Sequence, residues 1–351
     1  MKETLYITLP KNINFSVFEA LKIHEGLFKN SNYEVLYLSR NKLIKGDNVK
    51  QINNVIKTFN FLRKKKTGVI YGITVNEVFL AYLSNVFGNK KSIIFWVQGL
   101  IDEEDFLSTN NRFRYFIFNK LFKFCLKISD KIIVVTKHMF EVLKSKYNCP
   151  ISKNHIVIPC KSRVSYTGTE KIKKSLSYIG GLSKWQNVDK ILAFFNELNK
   201  FNSKYNLYIA TFDHEMANNL VERYVDKIYR GKTQLVNVRT EKEVAHFLSK
   251  MEYGFLLRDD ILLNNVASPI KLAEYLACGV NPIISNSLKD FYKLVNKYNC
   301  GVVVNNMNLE SAVQKFLNSE HSTQNAINCY NNTYELDGFN ETFKRFVNEK
   351  Q

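Results

Sequence analysis

The chain has 351 residues, 45% of them apolar, including 26 Phe and 19 Tyr. That length suits two domains, and that composition excludes a disordered chain. Fifty Lys and Arg against 32 Asp and Glu leave a net charge of +18, which points to an anionic partner or simply to a Lys-, Asn- and Ile-rich composition.

In chain order, "TLYITL" (4–9), "YEVLYLS" (33–39), "GVIYGIT" (68–74), "KSIIFWV" (91–97), "KIIVVT" (131–136) and "HIVIPC" (155–160) are short runs, apolar on successive residues. Such runs suit strands buried on both faces of a parallel sheet. Among the helical stretches between them, residues 112–131 space Lys120, Lys123, Lys127 and Lys131 along one face and Ile117, Leu121, Phe124, Cys125 and Ile128 along the other. This predicts either an ordinary surface helix or one lying against anionic lipid headgroups. Arg63, Lys64, Lys65 and Lys66 would extend that cationic surface.

The polar stretch 161–174 reads as a linker. The alternation then restarts with "SLSYIGG" (175–181), "YNLYIAT" (205–211), "YGFLLR" (253–258), "NPIIS" (281–285) and "GVVV" (301–304). Helices are expected at 186–200, 240–251 and 288–298, and a last one at 340–350 has no strand after it. Strand alternating with helix in both halves predicts an α/β protein of two domains, 1–163 and 164–335, followed by 336–351. Ligands of open parallel sheets bind outside the carboxyl ends of the strands, so residues just after strands, facing a central cleft, are the candidates.

The cysteines at 125, 149, 160, 278, 300 and 329 form no C-x-x-C pair, which argues against zinc and redox motifs and favours free thiols in a reducing cytosol. No run of 18 apolar residues occurs and the N-terminus lacks a signal-peptide core, so membrane contact is expected to be peripheral. No nucleic-acid-binding module is recognisable, so nucleic acid is not an expected partner.

Residues 266–285, "VASPIKLAEYLACGVNPIIS", carry the sharpest signal. Ser268 is a good N-cap, Pro269 suits a first helical turn and Gly279 suits a helix end. The helix N-terminus would favour an anion. At 100° per residue, Lys271, Glu274 and Cys278 fall on one side and Ile270, Leu272, Ala273, Leu276 and Ala277 on the other. Lys271 and Glu274 are then either an i,i+3 ion pair or a phosphate and a ribose contact, since a carboxylate can accept both hydroxyls of a vicinal diol.

This segment resembles the donor site of GT-B glycosyltransferases of the glycogen-synthase-like, nucleotide-sugar-dependent group. Their pattern Pro-x-Lys-x-x-Glu-x-x-Ala-x-Gly is met by Pro269, Lys271, Glu274, Ala277 and Gly279. The resemblance implies two Rossmann-like domains with parallel sheets facing a central cleft: an acceptor domain at 1–163, a donor domain at 164–335, and a C-terminal helix returning to the first domain. It implies that Glu274 holds the donor ribose. The family often has a second glutamate eight residues earlier; here that position is Val266, with Asn264 and Asn265 as substitutes.

"YIGGLSKWQNVDKIL" (178–192) resembles the first turn of the same donor domain. Gly180 and Gly181 would admit a diphosphate, and Lys184 would meet its charge. The family's Arg is replaced by Gly181 and its Lys-Gly is altered around Trp185, Gln186 and Asn187. Arg258, at a strand end, suits phosphate or sugar recognition; Asp259 and Asp260 read as a solvated loop. In "IIFWVQGLIDEEDF" (93–106), Gln98, Gly99, Glu103 and Glu104 follow a strand, where Glu103 or Glu104 could orient or deprotonate an acceptor hydroxyl, or simply suit a helix N-terminus.

The expectation is a cytoplasmic, peripherally membrane-associated, retaining glycosyltransferase without metal or cofactor. It would move sugar from a nucleotide sugar to a glycan or lipid-linked oligosaccharide of the capsule or O-antigen type. The alternatives are a sugar-nucleotide epimerase or hydrolase, with His24, His138 and His214 as recruits, and a catalytically silent subunit that binds glycan or a partner enzyme.

Overall fold

A computed structural model of the protein describes residues 2–13, 15–150, 154–305, 308–334 and 337–349. Contacts divide the chain into two compact units, Met1–Pro159 with Leu336–Gln351, and Cys160–Glu335. The break expected between residues 335 and 336 falls outside the described residues.

The first unit holds β1 (Glu3–Leu9), β2 (Tyr33–Ser39), β3 (Val49–Gln51), β4 (Val69–Gly72), β5 (Ser92–Val97), β6 (Lys131–Val134) and β7 (Asn154–Val157). They form one parallel sheet in the order β3-β2-β1-β4-β5-β6-β7. The helix Asp337–Asn348 belongs to this unit. Its Phe343 and Phe346 join the apolar core of the first sheet, and the Phe343 ring meets Phe28 edge-on at 4.9 Å. Lys131 is buried rather than part of a cationic helix face. The helix stops at Ile128, and the Lys131 ammonium donates to the Phe346 carbonyl at 2.7 Å and to that of Val347, ending the last helix as a cation should.

The second unit holds β8 (Ile172–Ile179), β9 (Asn206–Ala210), β10 (Thr233–Val236), β11 (Met251–Leu256), β12 (Asn281–Ser285) and β13 (Val302–Val304), all parallel, in the order β10-β9-β8-β11-β12-β13. Alternate residues feed two cores: Phe255 and Ile283 face one, Leu256 and Ile284 the other. This explains why the strands read as unbroken apolar runs. The expected linker is pinned to this unit. Val164 is buried in its core, the Tyr166 N–H donates to the Ala277 carbonyl at 3.0 Å, and the Thr167 N–H to Ser249 Oγ at 3.0 Å.

In both sheets the strand order reverses once, between β1 and β4 and between β8 and β11. The crevice outside the carboxyl ends of two such strands is where an open α/β sheet takes its ligand. Among the described residues, no helix is long and apolar enough to cross a membrane.

Candidate functional site

The reversal in the second unit lies between the end of β8, followed by Gly180 and Gly181, and the end of β11, followed by Arg258. The helix Ile270–Ala277 is fixed beside it by packing. Leu272, Ala273, Tyr275 and Leu276 are buried in the core. Tyr275 lies against Gly254, where a Cβ would stand 2.8 Å from the ring, and its hydroxyl donates to the Phe255 carbonyl at 3.1 Å. The helix ends on Gly279 at φ +65, with Gly279 N–H on the Leu276 carbonyl and Val280 N–H on that of Tyr275, a Schellman end.

Two expectations at this helix are corrected. Pro269 is the capping residue, and the Ser268 hydroxyl accepts from the Cys160 N–H at 3.0 Å instead of closing the helix. That bond ties residue 160 to the second unit. Cys278 lies fully in the core rather than on the face of Lys271 and Glu274.

Lys271 does not pair with Glu274. Its ammonium donates to Gln186 Oε1 at 2.6 Å and to the Tyr178 hydroxyl at 3.1 Å, and stands 4.4 Å from the centre of the Tyr178 ring. Arg258 Nη2 donates to the same Gln186 oxygen at 2.8 Å, and the Tyr178 hydroxyl reaches it at 3.3 Å. Two cations therefore converge on one neutral acceptor. Burial, and then the charge of Arg258, lower the Lys271 pKa to about 7, against a smaller opposite pull from Glu274. Burial also lowers the pKa of Arg258 and raises that of Glu274.

The surrounding backbone is held in place. Arg258 N–H donates to Ser285 Oγ at 2.8 Å, and Ser287 Oγ donates to the Arg258 carbonyl at 3.0 Å. Gly180 has φ +129, and a Cβ there would stand 2.7 Å from Lys271 Nζ. The 3-10 turn Lys184–Gln186 ends on Asn187 at φ +53, a left-handed position that favours glycine or asparagine. Asn187 Nδ2 and Lys190 Nζ both donate to Asp259 Oδ1, at 3.0 Å and 2.5 Å. Against partial burial, these partners hold the Asp259 carboxyl below its usual range.

Lys184 is exposed on the turn and, unlike Arg258 and Lys271, is not among the groups bonded to Gln186. Gly181 is open: a Cβ there would have nothing within 4 Å. Asn264 Nδ2 donates to the Asp259 carbonyl at 2.8 Å, whereas Asn265 Oδ1 is buried without a partner. Val266 is buried. Tyr178 and the acceptor role of Gln186 have no counterpart among the sequence expectations; the signal available for the turn is Asn187, a residue type that tolerates the left-handed conformation.

The first unit has its own cavity, about 310 Å³, where its strand order reverses. Pro10, Ile73 and Thr74 line it from β1 and β4, and Trp96, Gln98 and Glu104 from β5 and the helix after it. Gln98 Nε2 donates to the Ile73 carbonyl at 3.2 Å. Partial desolvation, and then the Asp102 carboxylate, raise the Glu104 pKa. Asp102 itself is buried and accepts from Tyr147 Oη and Asn119 Nδ2, each at 2.7 Å. Glu103, the other carboxylate of the pair, is engaged elsewhere, by Lys146 and by Tyr115 Oη at 3.2 Å. The Trp96 indole N–H is buried with no protein acceptor. His24 is buried behind it, its ring 4.5 Å from that of Trp96 and its Nδ1 2.5 Å from Tyr71 Oη. Among the described residues no group of three or more His, Cys, Asp or Glu could hold a metal ion.

Residues 167–336 match the family model described as Glycosyl transferases group 1. No curated protein sequence matches the chain. Similar solved structures include a mutant of S. aureus TarM in complex with fondaparinux, alpha-GlcNAc-glycerol and UDP, at 11% identity and a TM-score of 0.61, over 84% of this chain and 59% of that one. They also include sucrose-phosphate synthase from Thermosynechococcus elongatus, at 10% identity and a TM-score of 0.69, over 99% and 98% of the two chains. The lipopolysaccharide outer core galactosyltransferase WaaB matches at 12% identity and a TM-score of 0.66, over 99% of each chain. The chain thus spans about three fifths of TarM, 59%, and nearly all of the other two.

Proposed function

For a chain of the GT-B fold whose residues 167–336 form a group 1 glycosyl transferase domain, we propose a glycosyltransferase that moves a sugar from a nucleotide-sugar donor to an acceptor with retention of configuration. The observation that carries this reading is the convergence of Lys271 and Arg258 on one uncharged oxygen at the strand reversal of the second unit. Two like charges brought to one uncharged oxygen in a partly desolvated site repel each other. A diphosphate relieves that repulsion, and relieves it most when its own charge grows as the sugar–phosphate bond breaks. The UDP in the TarM complex supports a nucleoside diphosphate as the group bound.

Glu274, one turn along the helix from Lys271, takes the ribose hydroxyls, and Asn265 supplies the donor-sugar contact that Val266 cannot make. As the anomeric carbon leaves the phosphate oxygen and bonds the acceptor oxygen, the acceptor proton passes to the departing phosphate. No separate base is then required. The acceptor sits in the first unit's cavity, where Glu104 meets its hydroxyls.

A lipid-linked acceptor of a surface polysaccharide fits a protein that rests on a membrane. The helix Arg112–Ile128 buries Phe122, Cys125 and Leu126, but leaves Phe113 73% exposed and Phe116 and Ile117 exposed beside Arg112, Lys120 and Lys127. Exposed aromatics flanked by cations suit anionic headgroups. This differs from the expected division of the helix, in which Ile117 packed inward.

A panel of nucleotide sugars, scored for thermal stabilisation and for release of nucleoside diphosphate, tests the reading. Stabilisation with turnover is expected for at least one donor. Stabilisation without any release, even with glycan acceptors added, would favour the silent binding subunit, for which the buried Val266 is the specific observation.

A further inference from the structure

Gln186 Oε1 accepts from Lys271 Nζ at 2.6 Å and from Arg258 Nη2 at 2.8 Å, while the Tyr178 hydroxyl, 3.3 Å away, gives its one proton to the Gly181 carbonyl. A carbonyl oxygen has two lone pairs and no formal charge, so it satisfies the hydrogen bonds of this cluster without compensating its charge. Resting on the donor-site reading above, we propose that Gln186 is a displaceable stand-in for a donor phosphate oxygen, holding the cation pair in place until a diphosphate swings it aside.

The local geometry suits that movement. Gln186 closes an exposed 3-10 turn, with Trp185 60% exposed and Ser183 and Lys184 exposed before it. The next residue, Asn187, is buried and fixed to Asp259. The turn is thus anchored at its base, and only the Gln186 side chain has to rotate. Its return as product leaves would restore the hydrogen bonds of Lys271 and Arg258, so the same amide weakens retention of the nucleoside diphosphate product. Gln186 is a positioning residue that sets affinity for the phosphates, not a group that takes part in bond making.

The test is titration calorimetry of UDP and of inorganic pyrophosphate with the wild type, Gln186→Ala and Gln186→Glu, with folding checked by thermal denaturation. Pyrophosphate reports the cation pair without ribose or base. The Ala variant is expected to bind both probes about tenfold more tightly, equivalent to ~1.4 kcal/mol. The Glu variant, a permanent counter-ion, is expected to bind both at least roughly tenfold more weakly. Gln186→Met keeps the length without the acceptor and replaces the Ala variant if that melts early. Unchanged or weaker binding by the Ala or Met variant, with the wild type binding both probes, overturns the stand-in role and leaves the donor site standing. Failure of the wild type and every variant to bind either probe overturns both.

Discussion

Gly180 and Lys271 share one space: a Cβ on Gly180 would stand 2.7 Å from both Cε and Nζ of Lys271. The strand end and the helix are therefore fitted to each other through the missing side chain. Gly180→Ala is expected to lower stability by about 1–3 kcal/mol, since φ +129 is also closed to alanine. It should also push Lys271 off Gln186 and weaken UDP binding. Thermal denaturation and calorimetry on the variant check both; wild-type UDP affinity would count against this role of the glycine.

A pH dependence follows from the Lys271 pKa of about 7. The anion-binding form is the protonated one, so UDP affinity should fall as pH rises from 6 to 8 at constant ionic strength. Lys271→Arg, charged throughout, should flatten the profile. For the free protein the sign reverses. Between about 7 and the ordinary value of 10.5 the unfolded chain holds the extra proton, so the contribution of Lys271 to stability improves as pH rises through that window. Denaturant melts of wild type and Lys271→Met across pH 6–10 measure the difference.

Glu274 can be separated from the cation pair by choice of ligand. Glu274→Ala should weaken UDP about tenfold or more, in the range of a lost hydrogen-bonding partner of ~1.5–3 kcal/mol, and leave pyrophosphate affinity within a factor of about two. Parallel titrations decide it. Equal losses for both ligands would mean that Glu274 acts on the phosphates and not on the ribose.

The exposed aromatics of the helix Arg112–Ile128 make the membrane reading testable. Flotation with phosphatidylglycerol vesicles should carry the protein, and vesicles of phosphatidylcholine alone should carry less. Phe113→Ser with Phe116→Ser, and separately Lys120→Gln with Lys127→Gln, should each reduce flotation, the latter by about 1 kcal/mol per charge. Neither pair of residues is in the core, so unchanged melting temperatures would rule out unfolding as the cause.

Legibility in the sequence follows from where each signal resides. The central strands can be read because burial on both faces leaves continuous apolar runs, as in Ser92–Val97 and Asn281–Ser285. The edge strands Val49–Gln51 and Thr233–Val236 escape such a reading, because they are short and their side chains are partly exposed. Lys271 and Glu274 stand out because a helix turns local spacing into a shared face. The bonds of Gln186 to Arg258 and Lys271 span 72 and 85 residues, and nothing local records them. Lys131 shows the opposite error: its spacing continues the helical pattern, but the chain has already turned into a strand, and its partner is a helix more than 200 residues away.

The docking of helix Asp337–Asn348 into the first core has a consequence for the order of synthesis. Phe343 and Phe346 complete the apolar layer that Phe28 begins, and Lys131 waits for the carbonyls of residues 346 and 347. During translation the segment 160–335 can therefore close its own sheet and cores while the first sheet still lacks its final helix. The half that leaves the ribosome first is the half finished last. In the interval the apolar surface around Phe28 lacks the cover that Phe343 and Phe346 give it.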